Sequence, residues 1–138
     1  MKNFIFNYKD SNGNEKNVEL RLKSSDCEKI EKQQGCSLID FVQHISVTNI
    51  VTMLQYMIEG GSGIRFSREQ AYSLYDELVD AGYTIVDILD KIIYEALVVS
   101  GIIGEDNLRD IREEREKYKN MSTEEKQRLI EERKNVQK

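Results

Sequence analysis

The chain has no proline, one histidine and two cysteines among its 138 residues, and no apolar run long enough to cross a bilayer. Each shortage removes a class of chemistry. Without proline, the breaks between elements must be set by glycine and by capping side chains. His44, the single histidine, sits among Phe41, Val42 and Ile45 on a short apolar helical face, with no nucleophile motif and no orienting partner nearby. That setting suits a structural histidine better than a general base. Cys27 and Cys36 lie nine positions apart with His44 eight further on, which matches no common zinc spacing. Both are expected to remain thiols in a reducing compartment. The sequence offers no catalytic, cofactor or metal site, and the chain reads as a non-enzyme.

Positive charge is also short where a polyanion would need it. Residues 1–104 hold ten Lys/Arg against fifteen Asp/Glu, whereas residues 105–138 hold ten of each. An acidic body without a basic stripe argues against nucleic acid as a partner. The first ten residues alternate aromatic and polar side chains and do not form the continuous apolar core of a signal peptide, so neither a membrane role nor export is expected and the location is cytoplasmic.

What the chain does have is helix punctuation. Ser67 with Gln70, and Thr84 with Asp87, each make a capping box, and Gly82 and Gly101 are natural left-handed stops. Between them Ala71, Leu74, Tyr75 and Leu78 recur on one helical face, while Ile85, Ile88, Leu89, Ile92, Ile93, Ala96 and Leu97 form a broader stripe. The spacing predicts two antiparallel neighbouring helices, the second the most buried, around which the fold is organised. Upstream, Ser24 or Ser25 opens a helix through Gln34 with Ile30 inward and Gly35 at its end, and Leu38 to Ile45 forms another. Thr48 or Asn49 then caps a helix carrying Ile50, Val51, Met53, Leu54, Met57 and Ile58. Gly60, Gly61 and Gly63 read as a flexible connector, because no Lys-Ser/Thr follows to complete a phosphate loop.

Phe4, Phe6 and Tyr8 alternate with polar residues, as do Val18, Leu20 and Leu22, giving two strands each with one buried face. A loop of three or five residues keeps both apolar rows on one side and pairs Phe4 with Leu22, Phe6 with Leu20 and Tyr8 with Val18. Asp10, Asn12 and Asn14 in that loop resemble calcium ligands, but Glu15 and Arg21 stand where an EF-hand loop requires Gly and Glu. Turn chemistry accounts for them.

The expected fold is therefore α+β: a two-stranded hairpin on a bundle of about five helices over residues 1–104, followed by a charged helical tail over 105–138, solvated and partly disordered until bound. The carboxylates Asp76, Glu77, Asp80, Asp87 and Asp90 belong to solvated helix faces. Core packing accounts for most of the large side chains. A partner surface would draw on adaptable Met53 and Met57, on Tyr72 and Tyr75, and on the thin apolar stripe of the tail at Leu108 and Ile111.

A polar hairpin ending in Val18-Glu-Leu-Arg-Leu-Lys and a helix opened by Ser24-Ser25 and closed near Gly35 resemble the N-terminal part of tail assembly chaperones from long-tailed bacteriophages and prophages of Gram-positive hosts. So does the later order, in which Tyr72, Leu74, Tyr75, Asp76 and Leu78 lead to Ala81-Gly82-Tyr83-Thr84 and a long helix ends at Ser100-Gly101. The likeness covers residues 15–104. It implies a non-enzymatic protein of the bacterial host cytoplasm that binds the helix-rich tape measure protein, keeps it soluble and assists tail tube assembly. Tail tube subunits are a further implied partner, with self-association through the hairpin or tail. Many such chaperones exist in two lengths through a ribosomal frameshift, and this chain would be the shorter. The alternative reading is a small acidic regulatory or adaptor protein acting through protein–protein binding.

Overall fold

A computed structural model describes residues 2 to 136; Met1 and the last two residues of the expected tail lie outside it. The chain is α+β, with a two-stranded antiparallel hairpin, β1 (Phe4–Lys9) and β2 (Glu15–Leu20), followed by seven helices among the described residues. These are α1 (Ser24–Gln34), α2 (Leu38–Gln43), α3 (Val47–Ser62), α4 (Arg68–Asp80), α5 (85–99), α6 (Glu105–Lys119) and α7 (Thr123–Val136). Two compact units divide them, Met1–Ile103 and Gly104–Lys138.

In the first unit the helix ends follow side-chain chemistry. Ser67 accepts from the Gln70 amide and Thr84 from the Asp87 amide, and both boxes are closed by the return bond to the cap backbone. Gly82 and Gly101 take positive φ of 104° and 78°, and the bonds from Tyr83 N to Leu78 O and from Ile102 N to Leu97 O close each helix in a Schellman turn. Two caps differ from expectation. Lys23, not a serine, precedes α1 without a side-chain cap, and Ser46 caps α3 by accepting from the Asn49 amide. The Asn49 side chain is thereby free to donate to the carbonyls of His44 and Phe41, tying α3 to the end of α2.

The organising element is α3, not the α4–α5 pair. It packs against β2, α2, α4 and α5 and buries Ile50, Val51, Met53, Leu54, Met57 and Ile58. Helix α5 is deeply buried, as its broad stripe predicts, and contains a π segment at Leu89–Ile93 between the turns Ile85–Ile88 and Tyr94–Val99. The extra residue in that turn lets Ile92, Ile93 and Tyr94 all face the interior.

The hairpin register is shifted from the expected one by two residues: Phe4 pairs with Leu20, Phe6 with Val18 and Tyr8 with Lys16. The loop is odd, as required to keep the apolar rows together, but it is centred one position earlier. Asp10 carboxylate accepts from the Asn12 and Asn14 amides, and Gly13, at φ 83°, closes a turn to the Asp10 carbonyl. Leu22 then falls beyond the ladder. It is fully buried, and its amide donates to Ser100 Oγ at the end of α5.

The three glycines after Ile58 are not a flexible connector. Helix α3 runs through Gly60 and Gly61 and stops at Gly63, which takes φ 72°. A Cβ on Gly61 would lie 2.6 Å from the Glu19 carbonyl oxygen, and one on Gly60 would collide with that of Arg21. The missing side chains let β2 lie directly on the helix backbone, where Arg21 N donates to Met57 O at 2.8 Å and Asn3 Nδ2 to Gly61 O at 2.8 Å.

In the second unit, α6 begins with Glu105 and Asp106 and ends with Lys117 and Lys119, the arrangement that opposes the helix dipole. Ser122 Oγ accepts from the Glu125 amide at the start of α7, and Lys126 Nζ lies 5.1 Å from the Tyr118 ring. The segment expected as a charged helical tail comprises two helices, α6 and α7, the second capped by Ser122.

Because backbone atoms cannot swing aside as a side chain can, Gly61→Ala is expected to destabilise the protein by about 3 kcal/mol. Gly63→Ala, with open space around its Cβ, should cost only the left-handed backbone, about 1–2 kcal/mol. Urea titration of both variants checks the order.

Candidate partner-binding surface

The hairpin meets the helices through a polar latch. On β1 the Phe4, Phe6 and Tyr8 rings form one row with centroids 6.5 and 6.1 Å apart, and Tyr83 meets Phe6 edge-on at 5.6 Å. At the end of the row Tyr8 OH donates to Glu77 Oε2 on α4 at 2.5 Å. Lys16, cross-strand from Tyr8, donates to Glu77 Oε1 and lies 3.6 Å from Asp10. Glu77 is held below its ordinary range by the Lys16 hydrogen bond first and the Tyr8 hydroxyl second. Burial, then the Glu77 bond, pushes the Tyr8 phenol well up. The Glu77 bond raises Lys16, and the Asn14 amide leads the lowering of Asp10.

Beside the latch runs an open groove of about 880 Å³ lined by residues 7–9 and 15–17 of the hairpin and by Ala81, Gly82, Tyr83, Asp87 and Lys91. Lys91 lies 3.9 Å from Asp87 and 5.8 Å from the Tyr83 ring centroid. Its charges are largely matched within the groove, which leaves a polar trough without a concentrated field. Among the described residues no three His, Cys, Asp or Glu side chains converge as a metal site would need. No described helix is long and apolar enough to cross a membrane.

The residues expected to meet a partner do not form one surface. Met53 and Met57 are fully buried in α3. The central helix needs apolar groups on nearly every side, so these methionines fill the core, and the expected adaptable methionine surface is absent. Tyr72 is exposed, with the Arg68 guanidinium 5.3 Å from its ring centroid, and Tyr75 on the same helix is half-buried. In the second unit Leu108 is buried and Ile111 half-buried. Tyr94 is a core residue.

The reactive side chains stay apart from one another. His44 is exposed at the end of α2, where Nδ1–H donates to the Asp40 carbonyl at 2.8 Å. Cys36 is exposed and Cys27 half-buried, with burial and then Glu31 raising the Cys27 thiol. Glu77 and Lys16, the centre of the latch, look in the sequence like two ordinary surface charges. Only the strand register brings them together.

The latch has a signed pH response. A lowered Glu77 contributes stability above its ordinary value of 4.5 and loses it as pH falls through the folded value. A raised Tyr8 contributes below 10.0 and loses it as pH rises through its own folded value. Glu77→Gln should flatten the acid limb, and Tyr8→Phe the alkaline one, at a cost of about 1 kcal/mol near neutrality. Thermal melts across pH read both effects, and an unchanged acid limb in Glu77→Gln would count against the latch.

Comparison with protein-family models, curated proteins and solved structures yields no match.

Proposed function

We propose that the chain is a non-catalytic tail assembly chaperone of a long-tailed bacteriophage or prophage, which binds the tape measure protein in the host cytoplasm and keeps it soluble while the tail tube assembles. The observation that carries this reading is the coincidence of the resembling phrases with element boundaries. Gly35 ends α1 in the left-handed conformation, Ala81-Gly82-Tyr83-Thr84 is the complete stop and start between α4 and α5, and Ser100-Gly101 ends α5. The phrases that suggest the family are therefore the ones that set where the chain turns.

The composition of the surface agrees with the proposal. An acidic first unit with exposed side chains such as Ile5, Tyr72 and Val79 has apolar groups for a polypeptide partner and a charge that keeps the free protein soluble. Tail tube subunits and further copies of the chain belong to the same proposal as additional partners. A role as an acidic adaptor would give the same surface a different protein to bind.

Coexpression with its cognate tape measure protein tests the proposal. The soluble fraction of tape measure protein should rise severalfold, and the two should copurify. Unchanged solubility without copurification overturns it, and tight binding to a host protein alone would support the adaptor role.

A further inference from the structure

Helix α4 has an outward face that the core does not use. With 3.6 residues per turn, Arg68, Tyr72, Tyr75 and Val79 fall within an arc of about 60°, and Glu69, Asp76 and Asp80 fall in the adjoining arc of about 40°. Ala71, Leu74 and Leu78 occupy the other flank and are buried. The apolar strip therefore emerges from the core on one side and meets a row of carboxylates on the other. Tyr72 and Val79 are 38% and 44% exposed. Arg68 fixes the upper end, with Nη1 donating to Thr52 Oγ1 at 3.0 Å on α3 and its guanidinium over the Tyr72 ring.

Glu69, Asp76 and Asp80 are exposed, and among the described residues none is paired with a cation. Their charge selects the occupant. A second copy of this strip would set carboxylates against carboxylates, and an anionic lipid surface would be repelled. A helix with cations along its edge gains at each acid while its apolar side chains cover Tyr72, Tyr75 and Val79. From Arg68 to Val79 the strip is about 16 Å long, so three turns of partner helix fill it.

We propose that this face of α4 is a docking strip for an amphipathic helix whose apolar stripe is edged by Lys or Arg; resting on the chaperone reading, it names the kind of tape measure segment bound. Tyrosine supplies broad contact area with few rotatable bonds, and Arg68 already orders Tyr72 before the partner arrives.

The test uses the full chain and a fluorescent helical peptide of about 16 residues, with leucines at helical spacing and lysines on their flanks, beside a twin in which glutamate replaces each lysine. The lysine peptide should bind about tenfold or more tightly than its twin at low salt, the difference shrinking as salt rises. Tyr72→Ser combined with Val79→Ser should weaken the lysine peptide about tenfold. Asp76→Lys with Asp80→Lys should reverse the preference, and Ile64→Ser, at a 72% exposed position outside the strip, should leave it unchanged. Equal affinity for the two peptides overturns the proposal, as does full retention of binding in the serine or lysine double variant. Because no tape measure protein is present, peptide failure with successful coexpression puts the chaperone contact elsewhere. Peptide success with failed coexpression retains the strip and removes the named partner.

Discussion

The first unit depends on one close approach, that of the β2 backbone to the backbone of α3. A two-stranded hairpin has too little buried area to hold its shape alone. Here it is held because Gly60 and Gly61 present no side chain to the Glu19 and Arg21 carbonyls. Two glycines weaken a helix interior by about 1 kcal/mol each. That loss is offset by the hydrogen bond from Arg21 N, just past β2, to Met57 O and by the burial of Leu20 and Leu22 on either side of the contact. Once β2 is seated, β1 follows through the ladder, and its aromatic row comes to Tyr83 and Glu77.

The latch and the aromatic row then work at different ranges. Phe6 and Tyr83 supply contact area, whereas Tyr8, Lys16 and Glu77 fix how far along α4 the hairpin extends. Lys16 and Glu77 remain partly open to water, so solvent screens their attraction and the pair adds little to overall stability. Their geometric effect is larger. A register slip of one residue would turn Lys16 away from α4 and bring a neighbouring residue to the inner side.

Much of the first unit could be read from residue spacing alone. The two capping boxes, the glycine stops and the buried stripe of α5 are local, and each rests on residues of one helix and its ends. Two of the misreadings involve contacts distant in sequence. Gly60 and Gly61 look like a break until β2, some forty positions earlier, lies against them. Met53 and Met57 look like an adaptable surface until α3 proves to be packed from several directions. The hairpin shift has a local cause, the Asp10 carboxylate gathering two loop amides. Of the candidate contact residues, Tyr72 and Tyr75 share a helix face, and what sequence reading missed beside them was Val79. Val79 lies on the exposed side of α4, apart from the buried Ala71, Leu74 and Leu78.

The π segment of α5 separates chain length from chain identity. Removing one residue from Leu89–Ile93 would restore ordinary winding there and leave the turns on either side facing as they do, because the π turn holds one residue more than the α turn it replaces. Leu97 would stay in the interior, and Ser100 would still receive the Leu22 amide. Related chains can thus lose one residue in that turn at the cost of one inward side chain among Ile92, Ile93 and Tyr94, whereas a deletion in the ordinary turns on either side would have to be matched by an insertion.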